Sequence, residues 1–325
     1  MPATVRISES ARLGLRTVLI ILAAVVLLVP IVVTTAHGAS RLDYGRIETD
    51  EALPKAMKKL KMTLDNGAAV EIRTAEVDAP SVKLTATGPR DSSPGLKVRT
   101  GADAAEVAVD NRQKLENTQV TVTVPTAESA DLELELDSNY GTFDVAGDFA
   151  GVTANTGGGA LHVNGSADHV RTSTDWGATY LRGTFGAVES KTGVGALEGE
   201  DLTVRDRLEA MTSTGTLDLD FTNEAIPSGG IAAKTDEGSI ELRLPNLALA
   251  QENMAAEAAA DGGQKKEKPE EFFYRINAKS NDGSVDLAQD LDKYDVANDP
   301  KGAEGKTLVP VSATADAGMV TVNQN

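Results

Sequence analysis

Eight glycines recur in one short pattern along the C-terminal two thirds of the chain: Gly141, Gly159, Gly177, Gly195, Gly215, Gly238, Gly283 and Gly318. Seven residues before each glycine stands an aliphatic side chain, and the positions two and four residues after it are mostly apolar. The first three intervals, from 141 to 195, are each 18 residues long. A pattern that returns at nearly constant spacing indicates a repeat architecture, and we call this pattern the glycine frame.

Each copy of the frame reads as two short strands with the glycine at the corner between them. In the copy from Val152 to Val163, inward and outward side chains alternate on both sides of Gly159, which is typical of strands. The residue three before each glycine carries a hydroxyl group in seven of the eight copies: Ser138, Thr156, Thr174, Thr192, Thr212, Thr235 and Ser280. Stacked copies predict an all-β fold, a β-solenoid (β-helix) of about eight coils with hydroxyls bonded at one corner.

Other segments set the predicted domain boundaries. Residues 37–61 are predicted to form a linker, and the extracytoplasmic domain is predicted to span 62–325. Its first part, before the coils, alternates like strands and is punctuated by glycine and proline, which predicts a β-rich N-terminal portion. Two insertions, 246–271 and 289–308, interrupt the repeat and are expected to form loops on one side of it.

An apolar run near the N-terminus predicts where the domain is located. Residues 17–36 are long and apolar enough for one transmembrane helix that acts as a signal anchor. The basic residues of the short tail 1–16 favour a cytoplasmic N-terminus with the bulk of the chain exported. The alternative is a signal peptide that is cleaved near Gly38, which would give a secreted protein.

Composition excludes several classes of function. The net charge is −18, so the chain would repel nucleic acid, whose binding depends on cationic contacts to phosphate. There is no cysteine, which excludes disulfides and zinc sites built on thiolates. Aromatic residues make up only 4% of the chain, so valine, leucine, alanine and threonine must form the core.

The sequence contains no motif that indicates catalysis, a cofactor or a bound metal. No nucleophile elbow, zinc-protease or phosphate-binding loop pattern is present. The three histidines, His37, His162 and His169, are too few and too dispersed to predict a metal site, which needs three or four converging ligands. We therefore predict that the protein is not an enzyme and has no catalytic, cofactor-binding or metal residues.

Two outward-facing groups of residues are candidates for binding. The residues just before successive frame glycines bring Tyr140, Trp176 and Val194 to one edge, with Tyr180 nearby, and exposed aromatics grouped in this way predict a docking patch. Three residues after the glycines, carboxylates recur and predict a weak cation strip: Glu198, Asp218, Glu241 and Asp286. For both groups a plain structural role is the alternative, namely covering a turn and forming a solvated acidic face.

The aligned copies resemble the bacterial DUF4097 family of adhesin-like cell-envelope proteins. The likeness is carried by the N-terminal apolar segment, by the strand V-E-I-R-T at Val70–Thr74, and by copies of the form V-x-A-x-T-x-x-G-x-L-x-V. It covers roughly residues 60–325. The resemblance implies a bacterial envelope protein with no established catalytic residues.

The resulting functional hypothesis is a non-enzymatic, membrane-anchored adhesin-like or scaffold protein of the cell envelope. Its expected partner is an envelope polymer or a protein, with membrane contact through residues 17–36 and no nucleic acid. Two alternatives remain open at this stage. One is an accessory component of envelope-stress signalling that binds a membrane partner, and the other is a polysaccharide-active β-helix enzyme.

Overall fold

The computed structural model describes residues 44–64, 67–90, 95–109, 115–260 and 271–325. Most of these residues lie in strands, numbered here in chain order: β1 (Tyr44–Ala52), β2 (Lys59–Leu64), β3 (Ala68–Ala75), β4 (Ser81–Pro89), β5 (Leu96–Thr100), β6 (Ala104–Val109), β7 (Glu116–Pro125), β8 (Glu133–Ser138), β9 (Gly141–Phe221), β10 (Gly230–Leu244), β11 (Phe272–Leu287) and β12 (Thr307–Gln324). The helices are α1 (Thr126–Ser129) and α2 (Leu247–Ala260), with two single 3-10 turns at Asp292–Tyr294 and Val296–Asn298.

Copies of the glycine frame pair in parallel, with equivalent positions opposite each other. Ile231 of β10 lies opposite Leu208 of β9, and Gly238 lies opposite Gly215. On its other side β10 pairs with β12, which places Gly238 opposite Gly318. Because the registers match, residues at one frame position form a continuous column that runs across neighbouring copies.

The glycine column has no room for any other side chain. At Gly195 the backbone has φ of 143°, a conformation that side-chain-bearing residues rarely adopt. A Cβ atom added there would lie 1.7 Å from the carbonyl oxygen of Gly177 in the preceding copy. The frame glycines therefore stack directly on one another, and this close approach explains why the pattern repeats.

The predicted fold class, a β-solenoid of about eight coils, is wrong, although the described chain is built mostly of strands as predicted. All twelve strands belong to one sheet, and part of that sheet is antiparallel: β4 runs against β1 and β7, and β5 runs against β6. The copies also do not follow one another in chain order, since β12 lies between β10 and β11. The physical reason is that long insertions connect β10 to β11 and β11 to β12. These connections are long enough for β12 to lie next to β10, with β11 on the outer side of β12.

The predicted membrane segment at 17–36 and the tail at 1–16 lie outside the described residues. Within the ranges that the structure describes, no helix is both long and apolar enough to cross a membrane. The described residues therefore do not support the predicted localisation as a single-pass membrane protein, and it is not part of the function proposed below.

The inward columns form the core, as the alternation along each strand requires. Aliphatic side chains such as Val152, Val188 and Leu208 are almost fully buried. At the hydroxyl corner, Thr156 donates to the carbonyl oxygen of Gly158 over 3.0 Å. The hydroxyls of Thr192, Thr212 and Thr235 are buried and have no hydrogen-bond partner among the described residues. The corner column therefore has a packing role in several copies, in addition to the hydrogen-bonding role that the sequence predicts.

The two insertions pack onto the last copies of the frame. The side chain of Asn246 accepts hydrogen bonds from the backbone N–H groups of Ala248 and Leu249, which caps the start of α2. In the second insertion, the Tyr294 ring lies edge-on to Phe273 and Tyr274, at 4.9 Å and 5.7 Å between ring centroids. These contacts hold the described parts of both insertions against the sheet.

Candidate functional site

The residues immediately before four successive frame glycines form one row, which begins just before β9 and continues along it. We call this row the aromatic edge: Tyr140, Gly158, Trp176 and Val194. Trp176 and Tyr140, at 66% and 65% exposure, are the most exposed large apolar residues of the described chain, and Val194 is 37% exposed. The stacking of the frame glycines thus brings together two aromatic residues that lie far apart in sequence.

Gly158 shapes the edge between the two aromatic side chains. A Cβ atom at this position would lie 2.9 Å from Cδ1 and 3.0 Å from Cε1 of Tyr140. The tyrosine ring therefore lies against the bare backbone of Gly158. Tyr140 and Trp176 are two copies apart, which is roughly 10 Å at the usual spacing of paired strands.

Tyr180 does not belong to this edge, although the sequence places it near Trp176. It lies three residues after Gly177, on the second strand of its copy and on the far side of the glycine corner. Its half-buried ring stacks on His162 of the preceding copy, with the ring centroids 4.6 Å apart and the planes 16° apart. Alternation along the strand, which outweighs closeness in sequence, sets where this side chain points.

A shallow polar groove of about 430 Å³ borders the aromatic edge. It is formed by residues two to four positions before the frame glycines in three neighbouring copies, together with the end of β2: Thr63, Leu64, Asp137, Ser138, Asn139, Asn155, Thr156, Gly157, Ser173 and Asp175. The groove and the edge share a rim because Asn139, Gly157 and Asp175 directly precede Tyr140, Gly158 and Trp176 in the chain.

Hydrogen bonds within and between copies order the groove. The Asn155 side chain donates from Nδ2 to Oδ1 of Asp137 over 2.9 Å. The Ser138 hydroxyl donates to the carbonyl oxygen of Tyr140 over 2.8 Å, which ties the groove to the aromatic edge. Sequence reasoning missed this groove, although reading the outward positions two and four before each glycine as columns would have found it.

The acidic strip is only partly continuous in the structure. Glu241 lies opposite Asp218 on one side, but on the other it faces Thr321, which separates it from Asp286. The interruption follows from the position of β12 between β10 and β11, which the sequence-based order did not include. Asp286 is therefore not part of the run formed by Glu198, Asp218 and Glu241.

Arg243 lies among the carboxylates of the strip. Its guanidinium nitrogens lie 2.6 Å from Glu241, 3.3 Å from Asp220 and 3.6 Å from Asp218. Burial raises the pKa of the Asp218 carboxyl, and the positive charge of Arg243 opposes that rise. In the part of the chain that is described, no three histidine, aspartate or glutamate side chains are arranged to hold a metal ion. Arg243 thus supplies the positive charge that the sequence-based prediction assigned to a cation.

We expect Arg243→Gln to make the free energy of unfolding depend more strongly on pH than it does in the natural protein. Without the guanidinium, the folded-state pKa of Asp218 rises further above its unfolded value, so the folded protein gains stability as pH falls through that raised pKa. The free energy of unfolding of Arg243→Gln should therefore fall furthest below that of the natural protein at neutral pH, by about 1 kcal/mol for a partly solvated charge network. The difference should shrink as the pH is lowered. Urea unfolding between pH 4 and pH 8 measures this difference.

Arg182→Gln is the matched control for this prediction, because Arg182 pairs with Asp201 and Glu200 on an exposed surface. Its effect should be small and nearly independent of pH. Equal pH profiles for the two variants would contradict the role given to Arg243.

The two histidines that the structure describes, His162 and His169, have structural partners. His169 Nε2 lies 3.2 Å from Oε2 of Glu133, and both side chains pack over Gly151. His162 packs on Tyr180, as described above, and His37 lies outside the described residues. Neither of the two described histidines joins the groove or the aromatic edge.

Comparison with known proteins gives only distant likenesses. No family model matches the chain, and no curated protein matches it in sequence. The chain is similar to a "putative cell adhesion protein" of Clostridium sporogenes at 8% identity and a TM-score of 0.26. The match covers 86% of this chain and 100% of that one. It is similar over the same share to a "putative adhesin" of Parabacteroides distasonis, 97% covered, at 8% identity and a TM-score of 0.38.

A "putative lipid binding protein" of Parabacteroides distasonis is also similar, with 86% of this chain and 97% of that one covered, at 8% identity and a TM-score of 0.33. These neighbours are named for adhesion or lipid binding, and none of the three is named as an enzyme. Likenesses at this level assign no function to the chain, and the DUF4097 resemblance stays a prediction.

Proposed function

We propose that the protein is a non-enzymatic, adhesin-like binding protein that contacts its partner through the aromatic edge. The observation that carries this proposal is the exposure of Tyr140 and Trp176. Each is about two thirds accessible to solvent, and one copy of the frame lies between them. Large aromatic side chains supply most of the binding energy in many interfaces, because they bury a large area at a small cost in conformational entropy.

The backbone that carries the edge is well suited to binding. Trp176 and Val194 stand on the long strand β9, whose copies hydrogen-bond to equivalent copies on both sides. A surface held in place before the partner arrives loses little further freedom on association. The partner class that fits the overall charge of −18 is an envelope polymer or a protein, since a nucleic acid would be repelled.

We expect Trp176→Ala to weaken adhesion while leaving the fold intact. The test uses beads that carry the full chain, biotinylated at its N-terminus, and counts the beads retained by immobilised bacterial cell envelopes under flow. Removing the ring should lower the apparent affinity about tenfold or more, which corresponds to a side chain at the centre of an interface. Thermal unfolding should be nearly unchanged, because the side chain is mostly exposed.

Met319→Ala is the control variant, since Met319 is an exposed apolar residue (51%) on a distant copy of the frame. Beads with this variant should be retained like those with the natural chain. If Trp176→Ala and the natural chain adhere equally, or if neither adheres, the aromatic edge is not an adhesive surface. Turnover of an envelope glycan that is lost in Glu198→Gln would overturn the non-enzymatic part of the proposal.

A further inference from the structure

We infer that the aromatic edge and the polar groove together form one binding site for an uncharged glycan chain. This inference rests on the proposed function and deepens it by naming the chemical class of the partner. The site extends over three neighbouring copies of the frame, from Asp137 to Trp176, with the aromatic side chains along one rim and hydrogen-bonding groups beside them.

The aromatic side chains match one face of a sugar ring. A pyranose presents a patch of C–H groups on its faces, and an exposed aromatic ring gives that patch a flat apolar surface with a weakly negative face. The Tyr140 ring lies along the backbone of Gly158, and the Trp176 ring is largely free of protein cover. The two are separated by roughly 10 Å, comparable with the distance between one sugar ring and the second ring after it in an extended glycan, so a chain of at least three sugars is needed to contact both.

The groove supplies the groups that sugar hydroxyls need. A hydroxyl both donates and accepts, and is best held by side chains that offer acceptors and donors side by side. Asp137 and Asn155 do this as a pair, because the amide donates to one carboxylate oxygen and the two planar groups are thereby fixed relative to each other. The hydroxyl of Ser173 and the carboxylate of Asp175 continue the row in the next copy.

Charge selects against acidic polymers. Asp137 and Asp175 make the groove acidic, and the charge of Lys61, whose Nζ lies 3.8 Å from Asp137, is shared with Glu135, to which it also bonds. A uronic-acid or phosphate-bearing chain would bring further negative charge to this surface and would be repelled. An uncharged glycan loses nothing by this arrangement, so it is the glycan class that the groove favours.

Trp176 allows a direct test because it is the only tryptophan in the chain. The full-length protein is titrated with uncharged hexasaccharides of β-1,4-linked glucose, β-1,4-linked N-acetylglucosamine and α-linked mannose, and with hexagalacturonate as the acidic comparison. We expect at least one uncharged hexasaccharide to shift the tryptophan emission to shorter wavelength in a saturable way. The corresponding disaccharide should bind at least tenfold more weakly because it cannot contact both aromatic rings.

Three variants separate the parts of the site. Tyr140→Ala should weaken binding of the hexasaccharide about tenfold, and Asn155→Ala should weaken it several-fold, while Met319→Ala should leave it unchanged. The Gly158→Ala backbone is unstrained, but its methyl group would displace the Tyr140 ring, so this variant should resemble Tyr140→Ala. Equal binding of natural chain, Tyr140→Ala and Asn155→Ala would overturn the inference.

Treatment of the cell envelopes distinguishes failure of the glycan inference from failure of the proposed function. Periodate cleaves vicinal diols of sugars, and chitinase is added with it because internal β-1,4-linked N-acetylglucosamine has no such diol. This periodate treatment should abolish bead adhesion, whereas protease treatment should not. If protease abolishes adhesion, periodate does not, and no uncharged hexasaccharide shifts the emission, the ligand is a protein and the glycan inference is wrong although the adhesive role stands. Stronger binding of hexagalacturonate than of every uncharged hexasaccharide would also contradict it.

Discussion

Replacing Gly195 by alanine should destabilise the protein by at least about 3 kcal/mol, because the substitution combines backbone strain with a collision between backbones. The φ of 143° at this position disfavours any side chain. The new methyl carbon would also overlap the carbonyl oxygen of Gly177, 1.7 Å away, and that oxygen belongs to the backbone of a paired copy. Relief would require the two copies to separate and lose the parallel pairing around the corner.

Gly101→Ala is the control for this prediction. The nearest atom to an added methyl group there is the carbonyl oxygen of Ala104 at 3.5 Å, and the backbone is not in the strained region. We expect its free energy of unfolding to change by less than about 0.5 kcal/mol. Urea unfolding of both variants measures the difference, and equal midpoints would contradict the close stacking of the frame glycines.

Phe185→Ala should have a similarly large effect through the core, lowering the free energy of unfolding by about 3–5 kcal/mol. The ring of Phe185 is fully buried. The two preceding copies have Phe149 and Ala167 at the equivalent frame position, so large and small side chains alternate along the column. The backbone pairing on both sides would prevent the copies from closing the resulting cavity.

Met211→Ala serves as the comparison for the core prediction, since Met211 is 40% exposed and lies two copies further along the chain. Met211→Ala should lower the free energy of unfolding by less than about 1 kcal/mol, because little buried area is removed. Thermal unfolding monitored by circular dichroism measures both variants. If the two unfold at the same temperature, the interior assigned to the frame columns is wrong.

The sequence predicted which residues stack, but not the order in which the copies stack. Gly215 and Gly238 pair as the frame requires, because a one-residue slip would turn apolar side chains outward. Nothing local distinguishes the alternatives for Gly283 and Gly318, whose frames are equally good. Which of the two copies pairs with β10 depends on the paths of the two insertions, and these are set by long-range packing such as that of Tyr294 on Phe273.

The candidate site was predictable where it followed from the columns. Tyr140 and Trp176 meet on one edge because both precede a frame glycine, while Tyr180 was misplaced because closeness in sequence was given more weight than strand alternation. The balancing of Asp218 by Arg243 escaped prediction because it joins an outward residue to one from a neighbouring copy at a different frame position.

The emission of Trp176 during binding tests the central claim most directly, since this residue alone reports on the aromatic edge. The envelope fraction that retains the beads is added to the full-length protein, and the emission of Trp176 is taken as the difference from the same mixture made with Trp176→Phe. Binding should shift this difference emission to shorter wavelength. The shift should saturate at the same concentration as adhesion, because the ring leaves water as it contacts the partner. Adhesion that saturates while the emission of Trp176 stays unchanged would show that the partner binds elsewhere, and would contradict the account.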